Sequence, residues 1–158
     1  MNSWFRRFLI VLTVGGGFMG LPLIAGSWSR AWSTGWFSVF TVFIFLALYG
    51  YGVYLGLRLA DGREPIRQLV FYFAMQMPII QSSFIVYRFS TGLQAAVGFV
   101  GFRPTWDFNF GDLAQLLVRS GAPLGIGVNL VAAIIVFVLC SPALYATDKA
   151  PVSEPPHL

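Results

Sequence analysis

The sequence predicts an all-α membrane protein, a bundle of four transmembrane helices with a short amphipathic interfacial helix between spans 3 and 4. Of its 158 residues, 57% are hydrophobic and 10% are charged, whereas globular chains carry about 25% charged residues. The mean hydropathy is +0.74. Long stretches without charge account for most of the chain, and each approaches the roughly 20 residues that a helix needs to cross a bilayer.

The central stretch lies between Arg67 and Arg88. The 20 residues between these two arginines carry no charge, and a helix of that length covers about 30 Å, the hydrocarbon thickness of a bilayer. Pro78 predicts a kink, because it cannot donate a hydrogen bond to the carbonyl of Ala74. At about 100° per residue, one helix face collects a polar stripe of Tyr72, Gln76, Ser83 and Tyr87.

A polar stripe in lipid needs hydrogen-bond partners, because hydrocarbon supplies none. We interpret this stripe as interhelical hydrogen bonding. The alternatives are the lining of a substrate or water path and a contact with a different subunit.

The first two predicted spans, 8–26 and 36–57, carry glycines at the spacing of close helix contact. Such pairs let two helix backbones approach each other, and they are Gly16 with Gly20 and Gly52 with Gly56. The arginines before the first span are also typical of a signal peptide, but we interpret this segment as a retained span. The tryptophan-rich connection 27–35 predicts an aromatic belt at the membrane interface.

The fourth predicted span, 123–145, contains a seam of small residues that includes Gly125 and one amide, Asn129. An amide in hydrocarbon is expected to hydrogen-bond across a helix interface. We predict that Asn129 does so, with Gln76 as its best internal partner.

The connection 89–122 is too long for a simple turn and is expected to have structure. Residues 112–120 predict the interfacial helix, with Asp112 as its N-cap and an apolar face of leucines. We expect this segment to cover the bundle, and a lid or a partner-docking surface is the alternative. Residues 1–147 are then a single four-helix transmembrane domain, and 148–158 form a proline-rich irregular tail.

Positive charge is concentrated in two places that we predict to be cytoplasmic. Arg6 and Arg7 precede the first span, and the short loop 58–67 contains three arginines. Cytoplasmic segments of membrane proteins are enriched in Lys and Arg. Both termini are therefore predicted to be cytoplasmic, and we expect the protein in the bacterial inner membrane.

The sequence contains little that predicts catalysis, and we expect no cofactor and no metal. It has one cysteine, Cys140, and one histidine, His157, so a disulfide, a zinc site or a haem held by paired histidines is not expected. Asp107 and Asp112 are more simply explained as solvated turn residues than as a catalytic pair. The 10 basic residues lie singly or in pairs near span ends, which argues against nucleic-acid binding.

Two classes of function remain. The first is a non-catalytic polytopic membrane subunit that packs into a larger complex through its glycine seams and polar stripe. The second is a small homo-oligomeric channel or transporter for an uncharged or lipid-like solute, and a lipid- or quinone-using enzyme is a distant third. The expected partners are membrane lipid and either other integral membrane subunits or a second copy of the chain.

Overall fold

The computed structural model describes residues 1–118 and 121–141, and this part of the chain has helices at both ends and one antiparallel sheet between them. The helices are α1 (Ser3–Ile10), α2 (Gly16–Gly26), α3 (Trp28–Thr34), α4 (Trp36–Ala60), α5 (Ile66–Ala74) and α6 (Leu130–Cys140). The strands are β1 (Pro78–Gln81), β2 (Ile85–Ser90), β3 (Leu93–Val100), β4 (Arg103–Phe110), β5 (Leu113–Val118) and β6 (Gly125–Asn129).

Two helices are long enough and apolar enough to cross a membrane. A π-helical turn, Val11–Gly15, joins α1 and α2 into one run of 24 residues whose hydropathy is 2.1. Helix α4 has 25 residues and a hydropathy of 1.8. Each is about 36 Å long, which exceeds the roughly 30 Å of a hydrocarbon core. Because α3 connects them, α1–α2 and α4 form a helical hairpin.

Glycines bring the two arms of this hairpin together. Gly20 lies against the ring of Tyr49, and Gly56 lies against Thr13, with no space for a Cβ atom at either glycine. The predicted role of these glycines in close packing therefore applies within one chain, between the arms of the hairpin.

The prediction of an all-α bundle with four transmembrane helices is wrong, because a six-stranded sheet replaces large parts of the third and fourth spans. The stretch 67–88 is helical as far as Ala74 and then forms β1 and β2. The stretch 123–145 begins as β6 and becomes helical at Leu130. The predicted interfacial helix 112–120 is also wrong, since Leu113–Val118 is β5.

The conformational preferences of individual residues explain why the third and fourth predicted spans are not continuous helices. Pro78 begins β1, and a proline cannot continue a helix without losing a hydrogen bond. The residues that follow it are rich in β-branched side chains, which favour strands. In the fourth span, Gly125 and Gly127 each cost a helix about 1 kcal/mol relative to alanine. The end of that span and the predicted tail 148–158 lie outside the described residues.

The sheet has the order β4-β3-β6-β1-β2-β5, and every neighbouring pair is antiparallel. Directly opposite residues of antiparallel strands have their side chains on one face. The register therefore defines an apolar sheet face, which carries Leu116, Tyr87, Phe89, Ile80, Ile126, Val128, Val97, Phe99, Trp106, Phe108 and Phe110. The opposite face, the polar sheet face, carries Gln81, Arg88, Gly98, Thr105, Asp107, Asn109, Gly125 and Gly127.

The helical hairpin covers one end of the apolar sheet face. The ring of Phe89 on β2 lies 5.7 Å from that of Phe45 and 5.3 Å from that of Tyr49, both on α4. Beyond β2 the same face is open, and its side chains are 40% to 85% exposed: Ile80, Val97, Phe99, Trp106, Phe108, Phe110, Ile126 and Val128.

Polar contacts hold the start of the chain against the end of α4. The Arg6 Nε–H donates to the carbonyl of Leu59 at 2.9 Å, and the N-terminal ammonium lies 3.3 Å from Glu64. Helix α5 begins just after this point, and α6 packs beside α5. Strand β1 follows α5, strand β6 precedes α6, and the two strands are antiparallel. The last turn of α6 therefore lies at the same end of the molecule as the start of α5.

A pair of glycines on α4 tests this packing. Gly52 lies against the phenol of Tyr72, whose ring is held by Tyr51, whereas a Cβ on Gly50 would have no atom within 4 Å. We expect Gly52→Ala to lower the free energy of unfolding by about 1–3 kcal/mol through overpacking. The control Gly50→Ala should raise it by up to about 1 kcal/mol through helix propensity. Thermal unfolding in detergent measures both, and equal melting temperatures would contradict the packing.

Candidate functional site

A polar turn lies at the centre of the molecule. Residues 90–93, which we call the central turn, join β2 to β3, and Ser90 and Thr91 are fully buried there. A Cβ on Gly16 would lie 2.9 Å from the backbone nitrogen of Gly92. The glycine at position 16 therefore lets the middle of the first helical run approach the turn backbone directly.

Side chains from three elements satisfy the polar groups of the central turn. The Gln76 Oε1 atom accepts from the Thr91 N–H at 3.0 Å and from the Thr91 hydroxyl at 3.1 Å. The Tyr49 hydroxyl donates to the carbonyl of Ser90 at 3.3 Å. The Asp112 Oδ1 atom accepts from the Gly92 N–H at 2.8 Å. Because unpaired backbone groups are costly inside a protein, these contacts make the burial of the turn possible.

The first helical run contains a π-helical turn beside the central turn. Its π-helical turn contains Thr13, which is fully buried and whose hydroxyl donates to the carbonyl of Leu9 at 2.7 Å. Leu12 in the same turn packs against Gly92, whose φ is +73°. A side chain at position 92 would be strained by this left-handed conformation and would press on Leu12 at 3.2 Å.

The two amides predicted to pair, Gln76 and Asn129, line the same cavity. This cavity is too narrow for a water molecule. Asn129 is the N-cap of α6 and accepts from the Val131 N–H at 3.2 Å. The Gln76 Nε2 and Asn129 Nδ2 atoms have no hydrogen-bond partner among the described residues. The structure therefore places the two amides together but without the direct hydrogen bond that we predicted.

The polar stripe predicted along one helix face does not form, because its residues lie on different elements. Tyr72 lies on α5, and Gln76 follows that helix. Ser83 is exposed in the turn between β1 and β2. Tyr87 lies on β2, where its hydroxyl donates to the carbonyl of Met75 at 2.7 Å.

Each glycine that we singled out makes a contact within the chain. Gly16 meets the central turn, and a Cβ on Gly125 would lie 3.0 Å from the carbonyl oxygen of Phe99 on the neighbouring strand. The remaining three, Gly20, Gly52 and Gly56, contact Tyr49, Tyr72 and Thr13 in turn.

Sequence reasoning missed the residues that build the central turn, because it assigned them to a long connection. The polar pair Ser90 and Thr91 precedes Gly92 between two apolar runs, which is a turn signal. The roles of Tyr49 and Asp112 depend on contacts between distant parts of the chain. They leave no signal in the local sequence.

Asp112 is the titratable group of this site. Burial disfavours its carboxylate and raises its pKa to about 6, although the hydrogen bond from the Gly92 N–H acts in the opposite direction. The second carboxylate oxygen is buried without a partner among the described residues. Asp107 is not part of this site, because it forms an ion pair with Arg88 on the polar sheet face.

The chemistry of the site is that of hydrogen-bond donors and acceptors. Amides and hydroxyls dominate it, and they do not exchange protons readily near neutral pH. Within residues 1–118 and 121–141, no group of three His, Cys, Asp or Glu side chains is placed to hold a metal ion. The hydrogen bonds that these side chains make to the backbone of the central turn favour a structural role for this cluster.

Comparison with known proteins gives no match to the chain, whether by protein-family models, by curated protein sequences or by solved structures. The proposals below therefore depend on the geometry of the chain and on its sequence.

Double-mutant cycles test which contact of Gln76 contributes to the free energy of unfolding. We expect Gln76→Leu to lower the free energy of unfolding by about 1–3 kcal/mol, because the buried Thr91 N–H loses its acceptor. Gln76→Leu should couple to Thr91→Val, which removes the second donor, more strongly than to Asn129→Leu. Thermal unfolding in detergent measures both cycles. A stronger coupling of Gln76→Leu to Asn129→Leu than to Thr91→Val would instead support a direct interaction between Gln76 and Asn129.

Asp112 should make stability depend on pH. Its pKa in the folded protein lies above the ordinary value of 3.8, so its contribution is complete below about pH 4 and is lost as the pH rises through about 6. Asp112→Asn keeps an oxygen acceptor for Gly92 but cannot ionise. We expect its melting temperature to fall less than that of the wild type between pH 4 and pH 7. Asp61→Asn, at an exposed position, is the control and should behave like the wild type.

Proposed function

We propose that this chain is a non-catalytic integral membrane subunit, anchored by its helical hairpin and assembled with other membrane subunits or with itself. The observation that carries the proposal is the open part of the apolar sheet face, which lies beside two helices long enough to cross a membrane. Exposed apolar patches of this kind mark sites of protein or membrane interaction.

The distribution of charge supports a membrane position with both termini on one side. Arg6, Arg58 and Arg67 lie at the end of the molecule where the first helix starts and α4 ends. Between residues 8 and 57 the chain has a single charged residue. Arginine-rich ends face the cytoplasm, so we assign the termini to the cytoplasmic side of a bacterial inner membrane.

Membrane lipid is a suitable partner for a second cavity. This groove, of about 340 Å³, lies between β5 and the hairpin end formed by α2, α3 and α4. Its walls include Ile24, Val42, Phe45 and Leu116, with hydroxyls from Ser27 and Ser38. Because its lining among the described residues is apolar apart from hydroxyls and the Gln115 amide, the groove suits an apolar chain.

A channel or transporter receives less support from the geometry. A path of this kind would be lined by the polar stripe predicted along one helix, but the residues of that stripe are divided between a helix, a turn and a strand. The cavity beside Gln76 does not admit water. Gln76 instead secures the central turn and Asn129 caps α6, which are structural roles.

Cysteine labelling tests the membrane orientation. In a Cys140→Ser background, Phe84→Cys lies in the turn between β1 and β2, and Asp61→Cys lies at the end of α4; both positions are exposed. A membrane-impermeant maleimide applied to intact cells should label position 84 and leave position 61 unlabelled until the cells are opened. Labelling of position 61 from outside would reverse the orientation.

Substitutions on the apolar sheet face test the role as a subunit. In mild detergent, the wild type should have a native mass well above the 17.5 kDa of one chain. Ile126→Glu places a charge on the open face and should reduce that mass to a single chain without lowering the melting temperature. Phe84→Glu, in the exposed turn, is the matched control and should keep the assembly. A wild type that is monomeric in mild detergents and in nanodiscs would refute the proposal.

A further inference from the structure

A charged pocket lies where α4 ends and α5 begins. This open cavity of about 420 Å³, which we call the arginine pocket, is bounded by the last turn of α4, the connecting loop and the first turn of α5. The residues that line it are Arg58, Glu64, Pro65, Ile66, Arg67 and Gln68.

Contacts inside the chain position Arg58 without neutralising it. Its Nη1 atom donates to the Gln68 Oε1 atom at 3.2 Å, and its guanidinium carbon lies 5.7 Å from the centre of the Tyr54 ring. A side-chain amide and an aromatic ring carry no net charge. The guanidinium is therefore held at the pocket wall with its positive charge still available to an anion.

The acidic residue of the pocket already has an internal partner, since Glu64 lies 3.3 Å from the N-terminal ammonium. Neither Arg58 nor Arg67 forms an ion pair with a carboxylate of residues 1–118 and 121–141. The pocket therefore presents two guanidinium groups whose charge no described side chain offsets. Because guanidinium groups bind phosphate through paired N–H donors, this chemistry is that of an anion site.

Helices α4 and α5 lead away from the arginine pocket side by side. Arg58 contacts Gln68, and Gly52 lies against Tyr72, so residue numbers fall along α4 as they rise along α5. Both helices therefore run from the pocket toward the middle of the hairpin, which is the membrane interior in the proposed function.

The surface on that side of the pocket is aromatic. Residues four apart share one face of a helix, so Tyr54 lies above Arg58 and Phe71 lies above Arg67, each about 6 Å farther along the helix axis. Phe71 is 63% exposed and Tyr54 is 50% exposed. A ligand in this position would meet two cations at one end and aromatic side chains at the other.

We propose that the arginine pocket binds the phosphate group of an anionic phospholipid, whose acyl chains lie along Tyr54 and Phe71. The inference rests on the proposed function, since the pocket lies at headgroup depth when the hairpin spans the membrane, and it deepens that function by naming a lipid class. Basic pockets at the cytoplasmic side of membrane proteins suit such headgroups. A free phosphate ion would meet the same arginines but would leave the aromatic surface uncovered.

Native mass spectrometry of the full chain in detergent tests the site. The wild type should bind phosphatidylglycerol about tenfold more tightly than phosphatidylethanolamine, whose ammonium the two arginines repel. Arg67→Gln, at an exposed position, should reduce this preference without lowering the melting temperature, and adding Arg58→Gln should abolish it. Arg63→Gln is the matched control, because Arg63 is an exposed arginine of the same loop that does not line the pocket. It should bind like the wild type.

Inorganic phosphate distinguishes the two sources of the anion. An excess of phosphate should leave phosphatidylglycerol bound, because the acyl chains add contacts that the ion lacks. Displacement of the lipid by phosphate would mean that the pocket is a site for the free ion and would overturn the lipid assignment. Equal binding of the two lipids by the wild type, or a preference that the double variant keeps, would overturn the site itself.

The same samples separate this inference from the proposed function. A wild type that assembles and has the expected orientation but shows no lipid preference would leave the proposed function standing and refute the lipid site. A monomeric wild type that prefers phosphatidylglycerol through Arg58 and Arg67 would support the lipid site and refute the role as a subunit.

Discussion

The insertion of the central turn between the first helix and the sheet is the contact on which the rest of the structure depends. Gly16 permits the approach, since a Cβ there would lie 2.9 Å from the Gly92 nitrogen, and Gln76 accepts two hydrogen bonds from Thr91. A buried turn without these partners would leave backbone groups unsatisfied. The same contact sets the position of β2 and β3, and through their registers it positions the whole sheet against the helical hairpin.

The stretch formed by α5 and β1 shows how a segment as apolar as a membrane span divides into a helix and a strand. Helix α5 has nine residues and β1 has four, so each covers about 13 Å at its own rise per residue. The combined length approaches that of a span, but the backbone groups of β1 bond to the neighbouring strands β2 and β6. Such an arrangement requires the neighbouring strand, because β1 alone satisfies none of its own N–H and C=O groups. The order β6-β1-β2 supplies both neighbours.

The sequence predicts two of the long apolar helices and suggests glycine positions for close packing, because both depend on composition and short spacing. Uncharged length identifies α1–α2 and α4, and the glycine spacing identifies Gly20 and Gly56 as contact positions. The sheet could not be predicted in the same way, since an apolar run of 20 residues is equally compatible with a helix or with half a helix and a strand. Pro78 marks the change, but a proline inside a membrane helix is also compatible with a kink. The contacts of Tyr49 and Asp112 with the central turn depend on tertiary structure alone.

The depth of the sheet restricts what its surfaces can face. The central turn meets Gly16 near the middle of the first helical run, and Phe89 meets Phe45 on α4. The strands therefore extend along the half of the hairpin that leads to α3, where Leu116 and Ser38 line one groove. In the membrane position that we propose, the apolar sheet face is compatible with lipid or protein. The charged pair on the polar sheet face, Arg88 and Asp107, then requires water or protein. An open strand edge is compatible with neither lipid tails nor isolation. The glycine contacts of the helices are made within the chain, so the surface that we propose for assembly is the open part of the apolar sheet face.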